Sequence, residues 1–256
     1  MGNQVRAASA LPKHQGVGTG RKIYSVICIV LAHILLFYHT LNLAIQLEIG
    51  WIWLAFSLFA GLLTADFVTG VIHWLADSYG STKLPFIGQR IIHSFRVHHI
   101  NPADFLRRTF VDTNGDTCFL VSLVLVGMFL IPLSSIPMQA LSSGLLAFLG
   151  TAMYSNQLHK WAHMRKPNRV IRMLQQLGLI LSDEKHGQHH TYPHTGDYCV
   201  APGWCNPILE RLRFFRRMEA VIQKCTGIRA RAEEDTMFDE LRRPPGERGG
   251  DTEGKH

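Results

Sequence analysis

The chain has 256 residues, is 47% hydrophobic and carries a formal net charge of +7. This length favours one medium-sized domain, and five cysteines without a C-x-x-C pair argue against a disulfide framework or a zinc ribbon. The apolar residues are concentrated, because residues 23–76 contain no Lys or Arg and residues 118–158 contain no charged residue. That distribution excludes an ordinary soluble core and is typical of membrane proteins.

Residues 1–22 are predicted to form a flexible basic arm beside anionic lipid headgroups. Arg6 occupies the position where an N-myristoylation signal requires Ser or Thr. The hydrophobic segment that follows is too long for a signal peptide, so we interpret the chain from Ile23 onward as a retained membrane anchor.

Each of the two apolar stretches can hold two helices of about 20 residues joined by a short turn. We therefore predict an all-α, multi-pass membrane protein with spans at 23–44, 51–76, 118–133 and 138–158. The turns near 46–50 and 134–137 lack Lys and Arg, and all 26 basic residues fall in 1–22, 77–117 and 158–256. Those basic segments, including both termini, are predicted to face the cytosol. The alternative is a soluble protein with unusually apolar helices.

Two basic amphipathic helices are predicted after the last span, at 168–181 and 207–225. Such helices can lie in the membrane interface or pack against their own cytosolic domain, and the sequence leaves both open. Residues 230–256 are predicted to be a disordered tail, which leaves 23–229 as the folded domain.

Histidines are the main candidate functional residues of this sequence. There are fourteen, and eight of them occur in groups beside the predicted cytosolic membrane surface. The groups are His73 with Asp77, His98 with His99, His159 with His163, and His186 with His189 and His190. Residues three or four apart on a helix share a face, so each spaced group can aim its ligands at one point. Isolated histidines at 14, 33, 39 and 256 are interpreted as structural.

Eight imidazoles and one carboxylate exceed the needs of a single four-coordinate zinc, so two metal ions are indicated. A hydrolytic zinc pair is disfavoured because the sequence has neither an H-E-x-x-H helix nor a G-x-S-x-G nucleophile motif. Iron with dioxygen fits the ligand set better. We predict an all-helical, histidine-rich cap that holds two iron ions.

Three further residues are candidates near the metal site. His93 is offset from the 98–99 pair and is interpreted as an outer or surface residue. His194 has ligand spacing from His190 but follows Pro193, which should break the helix, so it is a ligand or an outer-shell residue. Asp66 lies deeper in a span and is predicted to accept a hydrogen bond from a metal-bound imidazole; the alternative is a polar contact between helices.

Seven segments resemble the plasmanylethanolamine desaturase family and its relative, the plastid phosphatidylglycerol trans-3 fatty acid desaturase. They are DFVTGVIHWLADSYGS (66–81), FRVHH (95–99), FVDTNGD (110–116), NQLHKWAH (156–163), KHGQHHTYPH (185–194), YCVAPGWCN (198–206) and TGIRAR (226–231). The resemblance implies a membrane di-iron lipid desaturase that uses dioxygen to place a double bond near the head-group end of a phospholipid alkyl chain. It also implies that His73, Asp77, His98, His99, His159, His163, His186, His189 and His190 bind the metal.

The sequence also departs from the ether-lipid branch of that family. This branch looks to have His-Asp where this chain has Arg108-Thr109, and a further His in place of Lys185, whereas Pro193-His194 and FVDTNGD look closer to it. The expected reaction is conversion of plasmanylethanolamine to plasmenylethanolamine. Trans-3 desaturation of an acyl phosphatidylglycerol, or lipid hydroxylation at the same irons, remains an alternative.

Partners and location follow from this interpretation. Arg107 and Arg108 could bind the substrate phosphate, and electrons would come from a cytochrome b-type haem protein or a ferredoxin. We expect no nucleic-acid partner. The location would be the endoplasmic reticulum in a eukaryote or the inner membrane in a bacterium. A metal carrier with Asp66 and His73 along its pathway is the non-enzymatic alternative, disfavoured because no internal repeat is visible.

Overall fold

The computed structural model describes residues 17–85, 87–233 and 236, and these residues form helices without any β-strand. The ten α-helices of this part of the chain are α1 (Thr19–Ile45), α2 (Trp51–Ser78), α3 (His93–Ile100), α4 (Pro102–Arg107), α5 (Phe110–Gly127), α6 (Ile136–Ala162), α7 (Arg169–Gln176), α8 (Asp183–His189), α9 (Asn206–Arg211) and α10 (Phe214–Thr226). The all-α prediction is confirmed. Most of the predicted arm (1–16) and tail (237–256) lies outside the described residues.

The described chain divides into two compact units. The larger unit contains residues 17–71 and Phe105–Leu212, and the smaller unit contains Ile72–Asp104 and residues 213–233. Helix α2 contributes residues 51–71 to the larger unit and residues 72–78 to the smaller one.

Four helices are long and apolar enough to cross a membrane, at Thr19–Ile45, Trp51–Ser78, Phe110–Leu130 and Ile136–Ala162. The predicted number of spans is confirmed, but the third begins at Phe110 instead of residue 118. Its start is fixed by a capping box, in which the Thr109 hydroxyl accepts the Asp112 N–H and the Asp112 carboxylate accepts the Thr109 N–H. These bonds satisfy backbone N–H groups that have no partner within the first helical turn, so the polar segment before residue 118 is helical.

The core of the larger unit lies between α1, α5 and α6. Its fully buried side chains include Ala32, Cys118, Leu125 and Met153. The outer faces of the same helices are apolar and exposed, as expected for surfaces that lipid tails cover.

Small residues allow α2 and α6 to approach closely within the larger unit. A Cβ atom added at Gly61 would lie 2.1 Å from the carbonyl oxygen of Gly144. Helix pairs in membranes are commonly held by such small-residue contacts, because apolar side chains gain little there by leaving lipid.

Gln139 joins the two turns that connect the spans. Its Nε2 donates to the carbonyl oxygens of Gln46 (2.9 Å) and Leu133 (3.0 Å). Its Oε1 accepts the backbone N–H groups of Glu48 (2.8 Å) and Ile49 (3.0 Å). One buried amide thus satisfies four backbone groups of two chain segments.

Both predicted amphipathic helices were too long. The first ends at Gln176, and Gly178 follows with φ 68°, a left-handed conformation that ends helices. The second is two helices, because Arg213 at φ 48° interrupts the chain between α9 and α10. Neither break has a proline, and a basic residue at the second one gives no signal in the sequence.

Candidate metal centre

Four imidazoles converge in the larger unit. We call His159, His163, His186 and His190 the four-imidazole cluster; the first two lie at the end of α6 and the others at the end of α8. His186 Nε2 lies 2.9 Å from His159 Nε2, 3.0 Å from His163 Nε2 and 3.2 Å from His190 Nε2. His159 and His163 are themselves 3.3 Å apart at Nε2. The ligand spacing predicted on each helix is therefore realised in space.

These contacts cannot all be hydrogen bonds. Each Nε2 has one in-plane position, which holds either a proton or a lone pair, yet His186 Nε2 faces three other Nε2 atoms. Two nitrogen ligands about 2.1 Å from one divalent ion are about 3.0 to 3.4 Å apart, depending on the bond angle. The observed separations of 2.9 to 3.3 Å match that range, so the arrangement fits a shared metal ion.

Burial keeps the central ring neutral. His186 is 1% exposed, and burial, followed by the charges of its histidine neighbours, holds the pKa of its imidazole well below the usual value. A neutral imidazole has the lone pair that a metal requires. Ser182 supports its position by capping α8, with the hydroxyl accepting the Lys185 N–H.

His189 and His194 are oriented by the backbone of the same unit. His189 Nδ1 donates to the Gly196 carbonyl at 2.8 Å, which leaves a lone pair on Nε2, as in many metal-bound histidines. His194 Nδ1 donates to the His189 carbonyl at 3.2 Å, and its own carbonyl accepts the Tyr198 hydroxyl at 2.7 Å. The structure thus gives His194 a supporting contact to His189 and leaves it outside the four-imidazole cluster.

The prediction that Asp66 accepts a hydrogen bond from an imidazole was wrong. Its two carboxylate oxygens accept the backbone N–H groups of Gly203 and Cys205, each at 2.9 Å. Asn206 continues this arrangement by bonding both backbone groups of Cys199. The fully buried carboxylate holds the 199–206 loop through backbone donors, which no sequence pattern reveals.

The smaller unit contains a second group of side chains that could bind a metal, His73, Asp77 and His99, which we call the carboxylate cluster. Asp77 Oδ2 lies 3.2 Å from His73 Nε2 and 3.4 Å from His99 Nε2. The three side chains are nearly fully buried. His98 lies beside them, with its ring centroid 4.8 Å from that of His99 and 5.7 Å from that of His73. Helix α2 provides His73 and Asp77 at i and i+4, as the spacing predicted.

The model of one protein family, described as the lipid desaturase domain, matches residues 62–233. The chain belongs to this family. It is 37% identical over 183 residues to the "Plasmanylethanolamine desaturase" of Myxococcus xanthus, which covers 71% of this chain and 65% of that relative. It is 39% identical over 184 residues to "Plasmanylethanolamine desaturase 1" of Mus musculus, covering 68% and 67% of the two chains.

A third relative in this family comes from a plant. The chain is 31% identical over 178 residues to "Fatty acid desaturase 4, chloroplastic" of Arabidopsis thaliana, covering 68% of this chain and 53% of that one. The match thus spans about two thirds or less of the length of these curated relatives. No solved structure matches the chain.

Family membership and the two clusters agree on the kind of site. Imidazole and carboxylate ligands suit iron, and a lipid desaturase family suggests that metal. The side chains of the larger unit that could hold an ion are His159, His163, His186, His189 and His190, and those of the smaller unit are His73, Asp77, His98 and His99.

The two arginines predicted to bind a phosphate lie at the start of the larger unit. Arg107 is exposed, whereas Arg108 is partly buried and donates to the Asp112 carbonyl at 3.1 Å. The Arg108 carbonyl accepts a hydrogen bond from Lys160, one residue after His159. Their role toward phosphate stays a prediction. His93 is partly buried at the start of α3.

Several residues that contact the histidines were not predicted from the sequence. The Phe105 ring lies 5.2 Å from the His159 ring, and the Tyr198 ring lies 5.1 Å from the His189 ring. Tyr198 and Asn206 fall within the YCVAPGWCN segment that resembles the family, which was the available signal. Phe105 lies in a short polar segment without any recognisable pattern.

Proposed function

We propose that this protein is an oxygen-dependent, di-iron membrane desaturase that converts plasmanylethanolamine to plasmenylethanolamine. The observation that carries the proposal is the convergence of four Nε2 atoms at 2.9 to 3.3 Å in a member of the lipid desaturase family. A second ligand group, with a carboxylate, is available for a second ion. The choice of an ether lipid rests on the names of the two relatives at 37% and 39% identity.

The ligand sets divide as follows in this proposal. His159, His163, His186 and His190 hold one iron ion, and His73, Asp77 and His99 hold the other. His98 and His189 complete the set of ligands predicted from the sequence. When bound, the iron ions would supply the redox chemistry of dioxygen that no protein side chain can perform.

The overall reaction determines how many electrons and protons must be supplied from outside the protein. Forming the double bond removes two hydrogen atoms, and hence two electrons, from adjacent carbons of the lipid chain. Reduction of dioxygen to two water molecules takes four electrons and four protons, so two more electrons must come from a protein donor and two more protons from solvent. We propose a cytochrome b-type haem protein or a ferredoxin for this role.

The chain's own residues orient the ligands and exclude water. The Gly196 carbonyl holds the proton of His189 on Nδ1 and so keeps Nε2 available to a metal. Phe105 covers the rings of His159 and His163 at 5.2 and 6.0 Å between centroids. Such apolar cover keeps bulk water from the reacting carbon and limits side reactions.

The proposal also includes a binding site for the substrate head group and an orientation of the protein in the membrane. Arg107 and Arg108 would bind the phosphate through charge-assisted hydrogen bonds, near the helix end that carries His159. The basic segments and both termini would face the cytosol, in the endoplasmic reticulum of a eukaryote or the inner membrane of a bacterium. In either location the reacting carbons would lie close to the headgroup layer.

The direct test is to purify the full chain, count bound iron and incubate it with an alkyl-ether phosphatidylethanolamine, a reductant and oxygen. Mass spectrometry should show loss of two hydrogens beside the ether oxygen. Gain of one oxygen would instead identify a hydroxylase. Acyl phosphatidylglycerol serves as the second substrate, and its desaturation alone would overturn the ether-lipid assignment.

A pair of variants connects turnover to the proposed ligands. His159→Ala should abolish both iron binding at that cluster and turnover. His33→Ala is the matched control, because His33 belongs to the same unit and, among the described residues, bonds only the Ile29 carbonyl and the Tyr154 hydroxyl. Full activity in His159→Ala would exclude that residue as a ligand.

A further inference from the structure

A pocket of about 140 Å³ lies in the larger unit, where the ends of α1 and α5 meet the first part of α6. Its lining includes His39, Leu43, Met128, Phe129, Leu133 and Ser142. Ser142 and His159 are both on α6, and the 1.5 Å rise per residue separates them by roughly 25 Å along that helix. The pocket is therefore distinct from the metal centre and lies toward the opposite membrane face.

Two polar side chains that line this pocket, His39 and Ser142, can each form a further hydrogen bond. His39 is 6% exposed, and its Nε2 lies 2.9 Å from the Leu125 carbonyl. A carbonyl oxygen only accepts, so Nε2 carries the proton and Nδ1 of the neutral ring has a lone pair. Within the described chain, that Nδ1 has no hydrogen-bond partner.

Ser142 provides the second polar group. It is 2% exposed, and its hydroxyl has no hydrogen-bond partner in the part of the chain that the structure describes. The adjacent Ser143 differs, because its hydroxyl donates to the Gln139 carbonyl one turn earlier at 2.7 Å. Both residues line the pocket, so a ligand that donates to His39 Nδ1 and accepts from the Ser142 hydroxyl would gain two hydrogen bonds.

We propose that this pocket binds the hydroxyl group of a small amphiphile, with a short hydrocarbon segment against Leu43, Met128, Phe129 and Leu133. An alcohol donates its proton to His39 Nδ1 and accepts one from Ser142. An ether or an ester offers no donor to Nδ1, and the described residues that line the pocket include no charged side chain that could pair with an ionised head group.

The size of the pocket restricts the part of the ligand that enters it. An engineered protein cavity of about 150 Å³ accommodates benzene, so a volume of about 140 Å³ holds a hydroxyl with about five or six carbons. The occupant is a short alcohol or the hydroxyl-bearing end of a lipid, and both use the same contacts.

The test uses the full chain in phosphatidylcholine discs and a hexan-1-ol probe that carries a photoreactive diazirine. Illumination should label the segments around residues 38–43 or 128–133, as located by peptide mass spectrometry. Hexan-1-ol should suppress labelling at a concentration at least about tenfold lower than hexyl methyl ether requires, which is the effect of one good hydrogen bond on affinity. Competition by a monoacylglycerol as well would identify lipid as a source, and competition by hexan-1-ol alone would identify a free alcohol.

Variants connect the labelling to the two polar groups. Ser142→Ala keeps the pocket open and should weaken probe binding about tenfold, and Ser142→Leu should fill the pocket and abolish labelling. Ser143→Ala is the matched control and should label like the wild type. Labelling that maps elsewhere, that the ether suppresses equally, or that Ser142→Ala leaves unchanged would overturn the proposal. None of these outcomes depends on desaturase activity.

Discussion

The four-imidazole cluster of the larger unit and the carboxylate cluster of the smaller unit could each hold a metal ion, but they differ in the charge of their side chains. The first consists only of imidazoles, with His186 Nε2 in contact with three others. The second includes Asp77, whose carboxylate lies against both His73 and His99. A carboxylate offsets part of the charge of a bound cation, whereas neutral imidazoles leave that charge to the surroundings. The comparison indicates that the two clusters depend on different side-chain properties, namely geometry in one and charge in the other.

Removing the central ring should break the four-imidazole cluster alone. In His186→Ala, three ligand contacts disappear together, so we expect one of two iron ions to be lost. Turnover should fall by more than about 100-fold, the upper limit for losing only an outer partner of a metal ligand. Elemental analysis of the purified variant and lipid mass spectrometry measure both effects, with His33→Ala as the control. Two bound irons in His186→Ala would contradict the assignment.

Removing only the charge should break the carboxylate cluster. Asp77→Asn keeps the side-chain shape, so its expected effect, at least about tenfold weaker iron binding at that cluster, reports on charge. Iron titration monitored by absorbance measures it. Asp116→Asn also removes one negative charge, but from an ion pair with Arg21 at 2.7 Å, and should leave both clusters intact. Equal iron affinity in Asp77→Asn and the wild type would show that the cluster does not use this charge.

Replacing Asp66 tests how much its carboxylate contributes to holding the 199–206 loop. Asp66→Asn has one carbonyl oxygen in place of two carboxylate oxygens, so an amide N–H₂ would face a backbone N–H. We expect a loss of about 3 kcal/mol, or about 6–12 °C in Tm, because each bond to a charged group contributes about 1.5–3 kcal/mol. Thermal unfolding in detergent measures this. An unchanged Tm would show that the Gly203 and Cys205 contacts contribute little to stability.

The smallest expected effect concerns the helix that carries His186. Ser182→Ala removes the N-cap of α8 and should cost about 1 kcal/mol, or about 2–4 °C in Tm, with weaker iron binding only at the four-imidazole cluster. Asn168→Ala is the matched control, because Asn168 caps α7, which carries no histidine. A similar loss of iron affinity in both variants would mean that general stability, and not the placement of His186, determines metal binding.

Features that repeat along the chain were predictable from the sequence, and contacts between distant segments were not. Long stretches without Lys or Arg predicted four spans, and metal-binding side chains spaced i, i+4 predicted both clusters, because these patterns report directly on one helix face. The capping box at Thr109 has the recognisable pattern T-x-x-D, whereas the uncharged stretch alone places the start of the third span too late. The partner of Asp66 could not be inferred, since backbone N–H groups have no sequence signature. The break at Arg213 likewise depends on tertiary context.

Gln139 has a consequence for the way this protein is assembled in a membrane. Its four hydrogen bonds to Gln46, Glu48, Ile49 and Leu133 form only when both inter-span turns reach the same depth of the bilayer. A helix hairpin inserted one turn too deep or too shallow, a shift of about 5.4 Å, would leave those backbone groups unsatisfied in lipid. A single amide therefore selects the correct insertion depth of the second hairpin relative to the first during biogenesis.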